Sequence, residues 1–211
     1  MTSLTRACLV LALLAASLAP ASPARQQSEP KTAVLYRESY TLEAKQDYAG
    51  ALARIREIRQ AGGGSYFATL RMAWLSYLAG DYKASAAGYT EAIAAEPRAI
   101  EPKLGLTLPL LAGRNWRELE RACRDVLALD ARNAIARSRL AQSFYWAANY
   151  PDAASTYRQL VADYPSDLDH RTGLGWALLR MGRTAEARQI FEGVLAVSPD
   201  NVNAKQGLAA Q

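Results

Sequence analysis

From Thr32 to Asn201, apolar residues recur every three or four positions in stretches of about 13 residues, each closed by a short polar turn. That spacing marks amphipathic helices, each with one apolar stripe turned to a core. The stretches are paired around the tripeptides Gln46-Asp47-Tyr48, Gly80-Asp81-Tyr82, Arg114-Asn115-Trp116 and Ala148-Asn149-Tyr150, each 34 residues from the next, with Gly182-Arg183-Thr184 a weaker fifth copy. One register therefore divides the chain into Thr32–Ser65, Tyr66–Ala99, Ile100–Asn133, Ala134–Asp167 and Leu168–Asn201. A fixed period of this length predicts an all-α array of helical hairpins, each burying its apolar face on its neighbours.

The punctuation fits that reading. Asp47, Asp81, Asn115, Asn149 and Thr184 fall near the start of each second helix, where a side-chain oxygen can satisfy orphan backbone donors. Pro97, Pro165 and Pro199 end three second helices, with Ala131 and Gly63 in their place elsewhere. Pro151 suits a first turn. Gly62-Gly63-Gly64 loosens the first joint, and Pro109 inside a first helix predicts a kink. Val202–Gln211 reads as a short eleventh, capping helix, with Asn203, Lys205 and Gln206 on an outward face.

The first 24 residues differ in kind. Arg6 precedes an apolar run from Ala7 to Ala19, followed by small residues in Ala19-Pro20-Ala21 and Ser22-Pro23-Ala24. This predicts a secretory signal peptide cleaved after Ala21 or Ala24, because the run is shorter than the roughly 20 residues a spanning helix needs. Cys8 lies inside the run, which argues against lipoprotein attachment. Residues 25–31 read as a polar tether, and 32–211 as the repeat domain. The expected compartment is the periplasm, with no direct membrane span after cleavage.

Without that segment Cys123 is the only cysteine, so stability must come from packing. The formal net charge of +5 falls by one with Arg6, and arginines are dispersed along most helices. That balance favours a solvated surface and excludes the basic stripe of a nucleic-acid binder. His170 is the only histidine and is expected on the surface, away from any metal-ligand spacing. The sequence offers no nucleophile with a base, no phosphate loop and no cofactor motif, so the expectation is a protein without enzymatic activity.

The repeat resembles the tetratricopeptide repeat over about 170 residues in five copies without insertion. That family wants small residues where paired helices cross. Here they are Ser39, Ala73, Thr107, Ala141 and Gly175 in first helices, and Ala51, Ser85, Ala153 and Ala187 in second helices, with Leu119 the exception. Helices 8–10 Å apart leave no room there for branched side chains. Around those points the expected core is Met72, Leu106, Leu140 and Leu174 with Ile55, Tyr89, Cys123, Tyr157 and Phe191. Glu38 breaks the column and predicts a wet first hairpin.

The resemblance implies a right-handed superhelical solenoid whose concave wall, lined by first helices, holds an extended partner segment. The expected lining is Tyr36, Tyr40, Phe67, Leu70, Trp74, Tyr77, Leu104, Leu108, Leu111, Ile135, Gln142, Tyr145, Trp146, Trp176 and Leu179. Tyr77 and Tyr145 also occupy columns where packing between hairpins alone calls for an aromatic ring. Trp74, Leu108 and Trp176 share a column that is commonly polar in the family. Arg37, Arg71 and Arg139 are expected to flank the wall and receive acidic groups, with Gly105 and Gly173 leaving gaps between them. The family's carboxylate clamp does not carry over, since its first-frame positions hold Tyr36, Tyr40, Arg71, Glu101 and Gly105. The expected partner is a protein or peptide of an envelope complex. Two alternatives stand beside it: a carbohydrate-binding accessory of polysaccharide export, weakened by the few amides and carboxylates on the expected wall, and a self-associating structural array.

Overall fold

A computed structural model describes residues 30–62 and 65–210. The signal-peptide reading of 1–24, the tether at 25–29, and Gly63 and Gly64 lie outside the described residues. Those that are described form eleven helices and no strand: α1 (Lys31–Ala44), α2 (Tyr48–Gln60), α3 (Tyr66–Leu78), α4 (Tyr82–Ala95), α5 (Ile100–Ala112), α6 (Trp116–Leu127), α7 (Ala134–Trp146), α8 (Tyr150–Asp163), α9 (Leu168–Arg180), α10 (Thr184–Val197) and α11 (Val202–Ala209). Each helix packs on the one before and the one after it, and α11 closes the array against α9 and α10. The first helix begins at Lys31, so the tether loses its last residue to α1.

Every hairpin turns in the same way. The residue before the turn's polar position takes a left-handed conformation: Gln46 (φ 61°), Gly80 (79°), Arg114 (57°), Ala148 (61°) and Gly182 (76°). The next residue then donates its N–H five residues back, Asp47 to Leu42 at 2.9 Å, Asp81 to Ser76 at 2.9 Å, Asn115 to Leu110 at 2.9 Å, Asn149 to Phe144 at 2.8 Å and Arg183 to Leu178 at 3.0 Å. This Schellman closure satisfies the first helix's last carbonyls and starts the second helix at once.

The expected caps are only partly realised. Asp47 and Asp81 accept from the N–H groups of Gly50 and Ala84, each at 2.9 Å. Asn115 and Asn149 make no side-chain cap, Asn149 turning its amide to Asp152 at 2.7 Å, and α10 is led by Arg183 rather than Thr184. The first helices carry the caps that the sequence reading did not name: Ser65, Asn133 and Asp167, joined by Asn201 on α11. Helix α5 continues through the buried Pro109 to Ala112.

The crossing points are closed to solvent. Ser39, Ala51, Ser85, Thr107, Ala141, Ala153 and Ala187 are fully buried, as is the exceptional Leu119. One cluster of buried apolar residues runs from Leu35 to Leu75, and a larger one from Leu110 to Ala204. Burying a side chain such as Ile55 or Phe191 contributes about 1.5–3 kcal/mol, which is how an elongated array is stabilised interface by interface. Glu38 is exposed and pairs with Arg54 at 3.0 Å, in keeping with a wet first hairpin. His170 departs from expectation. It is buried, with Nδ1 3.4 Å from Asp167 Oδ2 and its ring 6.0 Å from that of Tyr164, because the start of α9 is covered by the end of α8.

Candidate interaction groove

Helices α3, α5, α7 and α9 touch one another in succession, so the first helices of four hairpins make one continuous wall. At its N-terminal end the Tyr36 and Phe67 rings meet edge to face at 5.4 Å. Tyr40 and Phe67 are each about half exposed (48% and 49%), whereas Tyr36, Leu70, Trp74, Tyr77, Leu104 and Leu108 are partly buried. Trp74 lies 5.7 Å from Tyr77, which lies 5.9 Å from Tyr82, so an aromatic run leads from the wall to the hairpin edge.

Arg71 and Arg139 do not border this wall as free cations. Arg71 is buried, with its guanidinium 3.6 Å over the Tyr40 ring and Nε donating to Ser39 Oγ at 3.2 Å. Its Nη2 sits 2.8 Å from Glu43 Oε2, a contact of charge rather than an aligned hydrogen bond. Arg139 donates to the Leu104 carbonyl at 2.9 Å and to Thr107 Oγ1, and burial lowers its pKa from the usual guanidinium value. Both cations thus tie neighbouring first helices together. The gaps expected at Gly105 and Gly173 are also filled: the rings of Tyr89 and Tyr157 lie where a Cβ would stand, at 2.2 Å and 2.6 Å.

The wall opens into a cleft of about 570 Å³ between α7, α9 and α11. Gln142, Tyr145, Trp146 and Trp176 line it as part of the expected wall, and Asp169, Thr172, Asn203 and Gln206 join them. Asn203 and Gln206 were expected to face outward on the capping helix. They line the cleft instead, because α11 packs on α9 as a further first helix would. The signal was in the register: Asn203 follows Asp169, and Gln206 follows Thr172, by one full repeat. Trp146, 60% exposed, stands at the rim, stacked on Trp116 at 6.0 Å and 15°. A hollow of about 310 Å³ beyond it is lined by Leu111, Ala112, Arg114, Trp116 and Trp146.

The thiol and the phenols under the wall are held neutral. Burial pushes the Cys123 thiol and the Tyr89 phenol each up to about 12, and raises Tyr145 and Tyr157 as well. Cys123 is a packing residue rather than a nucleophile. No helix among the described residues is long and apolar enough to cross a membrane.

Residues 138–202 match the family model for the tetratricopeptide repeat. Solved structures share the fold over most of the chain. A tetratricopeptide repeat protein from Parabacteroides merdae is 15% identical with a TM-score of 0.77, the alignment covering 85% of this chain and 71% of that one. MamA from Desulfovibrio magneticus RS-1 is 14% identical with a TM-score of 0.75, over 82% and 98%. A thermophilic tetratricopeptide-repeat protein of Thermus thermophilus is 16% identical with a TM-score of 0.61, over 85% and 98%. No curated protein matches the sequence. The chain carries the tetratricopeptide-repeat signature over residues 138–202 and shares the fold of such repeats over most of its length.

Proposed function

We propose that this protein is a non-catalytic interaction scaffold of the bacterial cell envelope, exported to the periplasm, which holds an extended segment of a protein partner along its concave wall. Tetratricopeptide-repeat proteins bind protein partners. The observation that carries the reading here is the succession of solvent-reaching apolar and aromatic side chains on adjoining first helices: Tyr40, Phe67, Leu70, Trp74, Leu104 and Leu108. A contiguous surface of this kind marks an interaction site. Its anchors are side chains that bury much area at little entropic cost on binding. The export step is supported by the charged, apolar and small-residue segments of 1–24.

The test is site-specific photo-crosslinking in the intact cell envelope. A photoreactive residue replaces Phe67 or Leu108 on the wall, and Ala87 or Arg121 on the exposed backs of α4 and α6. The expected result is one partner adduct from the wall positions and none from the backs. Equal adducts from both, or adducts from the backs alone, would move the binding surface to the convex side. N-terminal sequencing of the mature protein is expected to begin at Ser22 or Arg25, and an intact Met1 on membrane material would overturn the export step.

A further inference from the structure

The concave surface changes chemistry along its length. Up to Leu111 the wall is apolar and aromatic, but the cleft between α7, α9 and α11 mixes rings with planar polar groups. Gln142, Asp169, Asn203 and Gln206 converge on it, and none of these four side chains makes a hydrogen bond to another described residue. The Thr172 hydroxyl donates to the Asp169 carbonyl at 3.0 Å and so has acceptor capacity left.

The rings are fixed before any ligand arrives. Trp146 is braced by Trp116 on one side and by the edge of Tyr145 at 5.2 Å, and Trp176 is backed by Phe191 at 5.7 Å. Gly173 adds no Cβ to the floor, where the Tyr157 ring lies. The volume lies in the range of about 300–1,000 Å³ usual for small-ligand sites.

We propose that this cleft binds a short neutral oligosaccharide, stacked on Trp146 and Trp176 and hydrogen-bonded by Gln142, Asp169, Asn203 and Gln206. A pyranose ring has an apolar C–H face and an edge of hydroxyls, each of which donates and accepts. An indole suits the face. A carboxamide presents a donor and an acceptor in one plane, and a carboxylate accepts from two hydroxyls, so these side chains suit the edge. No Lys, Arg or His lines the cleft, which leaves an acidic sugar or phosphate without a counter-charge. An apolar peptide anchor seated here would bury the amides without partners, a cost that the apolar wall upstream does not impose. The inference rests on the proposed scaffold only in taking the concave face as the working surface, and its residues belong to other repeats than Phe67 and Leu70.

The probes are cellotriose, chitotriose, maltotriose and laminaritriose, titrated into the mature protein and read by tryptophan fluorescence and by the indole N–H signals in NMR. At least one is expected to bind saturably and to shift the Trp146 and Trp176 signals. Asn203→Ala with Gln206→Ala is expected to weaken that binding about tenfold with the melting temperature unchanged, since both side chains are exposed and unpartnered. Phe67→Ala is expected to leave sugar binding intact while reducing partner crosslinking, so the two readings fail separately. Silence from all four sugars, an undiminished affinity in the double variant, equal binding of trigalacturonate, or occupation of the cleft by a peptide or a second copy of the chain would each overturn the proposal.

Discussion

The Trp74 indole N–H donates to Glu43 Oε1 at 2.7 Å, while the other oxygen of the same carboxylate faces the buried Arg71 guanidinium. One acidic side chain at the end of α1 therefore holds two wall residues of α3. Glu43→Ala would leave Arg71 without its counter-charge under the Tyr40 ring. Stripping one partner from a buried pair costs about 3–5 kcal/mol, and because Glu43 keeps some solvent the expected loss is nearer 2 kcal/mol. Glu43→Gln, which retains an oxygen for Trp74, is expected to lose less. Urea denaturation of both variants against the parent separates the two contributions: a Glu43→Gln variant as stable as the parent would show that the charge contributes nothing, and equal losses in the two variants that the oxygen held for Trp74 contributes nothing.

The left-handed turn position gives a second test, one that touches no contact. Ala148 holds φ 61° where the equivalent residues Gly80 and Gly182 are free of a Cβ penalty. Ala148→Gly is expected to raise stability by about 0.5–1 kcal/mol, and Gly80→Ala to lower it by at least as much. Thermal melts of the pair decide it, and a destabilised Ala148→Gly would mean that glycine's extra freedom in the unfolded chain outweighs the strain.

These cases show why some features were legible in the sequence and others were not. The crossing points at Ser39, Ala73, Thr107, Ala141 and Gly175 were legible through the resemblance to the tetratricopeptide repeat, whose close helix approach calls for small residues there, and all five are buried. The fates of Arg71 and Arg139 depend on how adjoining first helices tilt, which brings Glu43 and the Leu104 carbonyl within reach. No spacing in one helix encodes that approach. The polar cleft was hidden for a related reason: Asn203 and Gln206 look solvated on a terminal helix until α11 is seated as one more first helix.

Buried acids make the array sensitive to alkali. Cys123 is pushed from its ordinary value of 9.0 up to about 12, and Tyr89 from 10.0 up to about 12, in both cases mainly by burial. A group whose pKa is raised on folding holds its proton more tightly in the native state. Its stabilisation is complete below the unfolded pKa and is lost as pH rises toward the folded value. Stability is expected to be flat up to about pH 8.5 and to fall from there toward pH 12. Guanidinium melts across that range check the sign. Cys123→Ser is expected to remove part of the slope between pH 9.0 and pH 10.0, before the tyrosines contribute.

The sharpest packing prediction concerns Gly105. The Tyr89 ring occupies the place of its missing Cβ, with ring carbons 2.2 Å, 2.6 Å and 2.7 Å from that position. Tyr89 is itself buried at the joint between α4 and α5, so the ring has no open space into which to swing. Gly105→Ala must therefore displace either the ring or α5, and overpacking of this kind costs about 1–3 kcal/mol. Gly173→Ala, against Tyr157, is expected to behave alike at the joint between α8 and α9. Adding Tyr89→Leu to Gly105→Ala should restore part of the loss, since the smaller side chain leaves room for the new methyl group. Stability of the single and double variants measures the coupling; if the two changes simply add, the ring and the glycine are not in contact and the α4–α5 joint is packed differently.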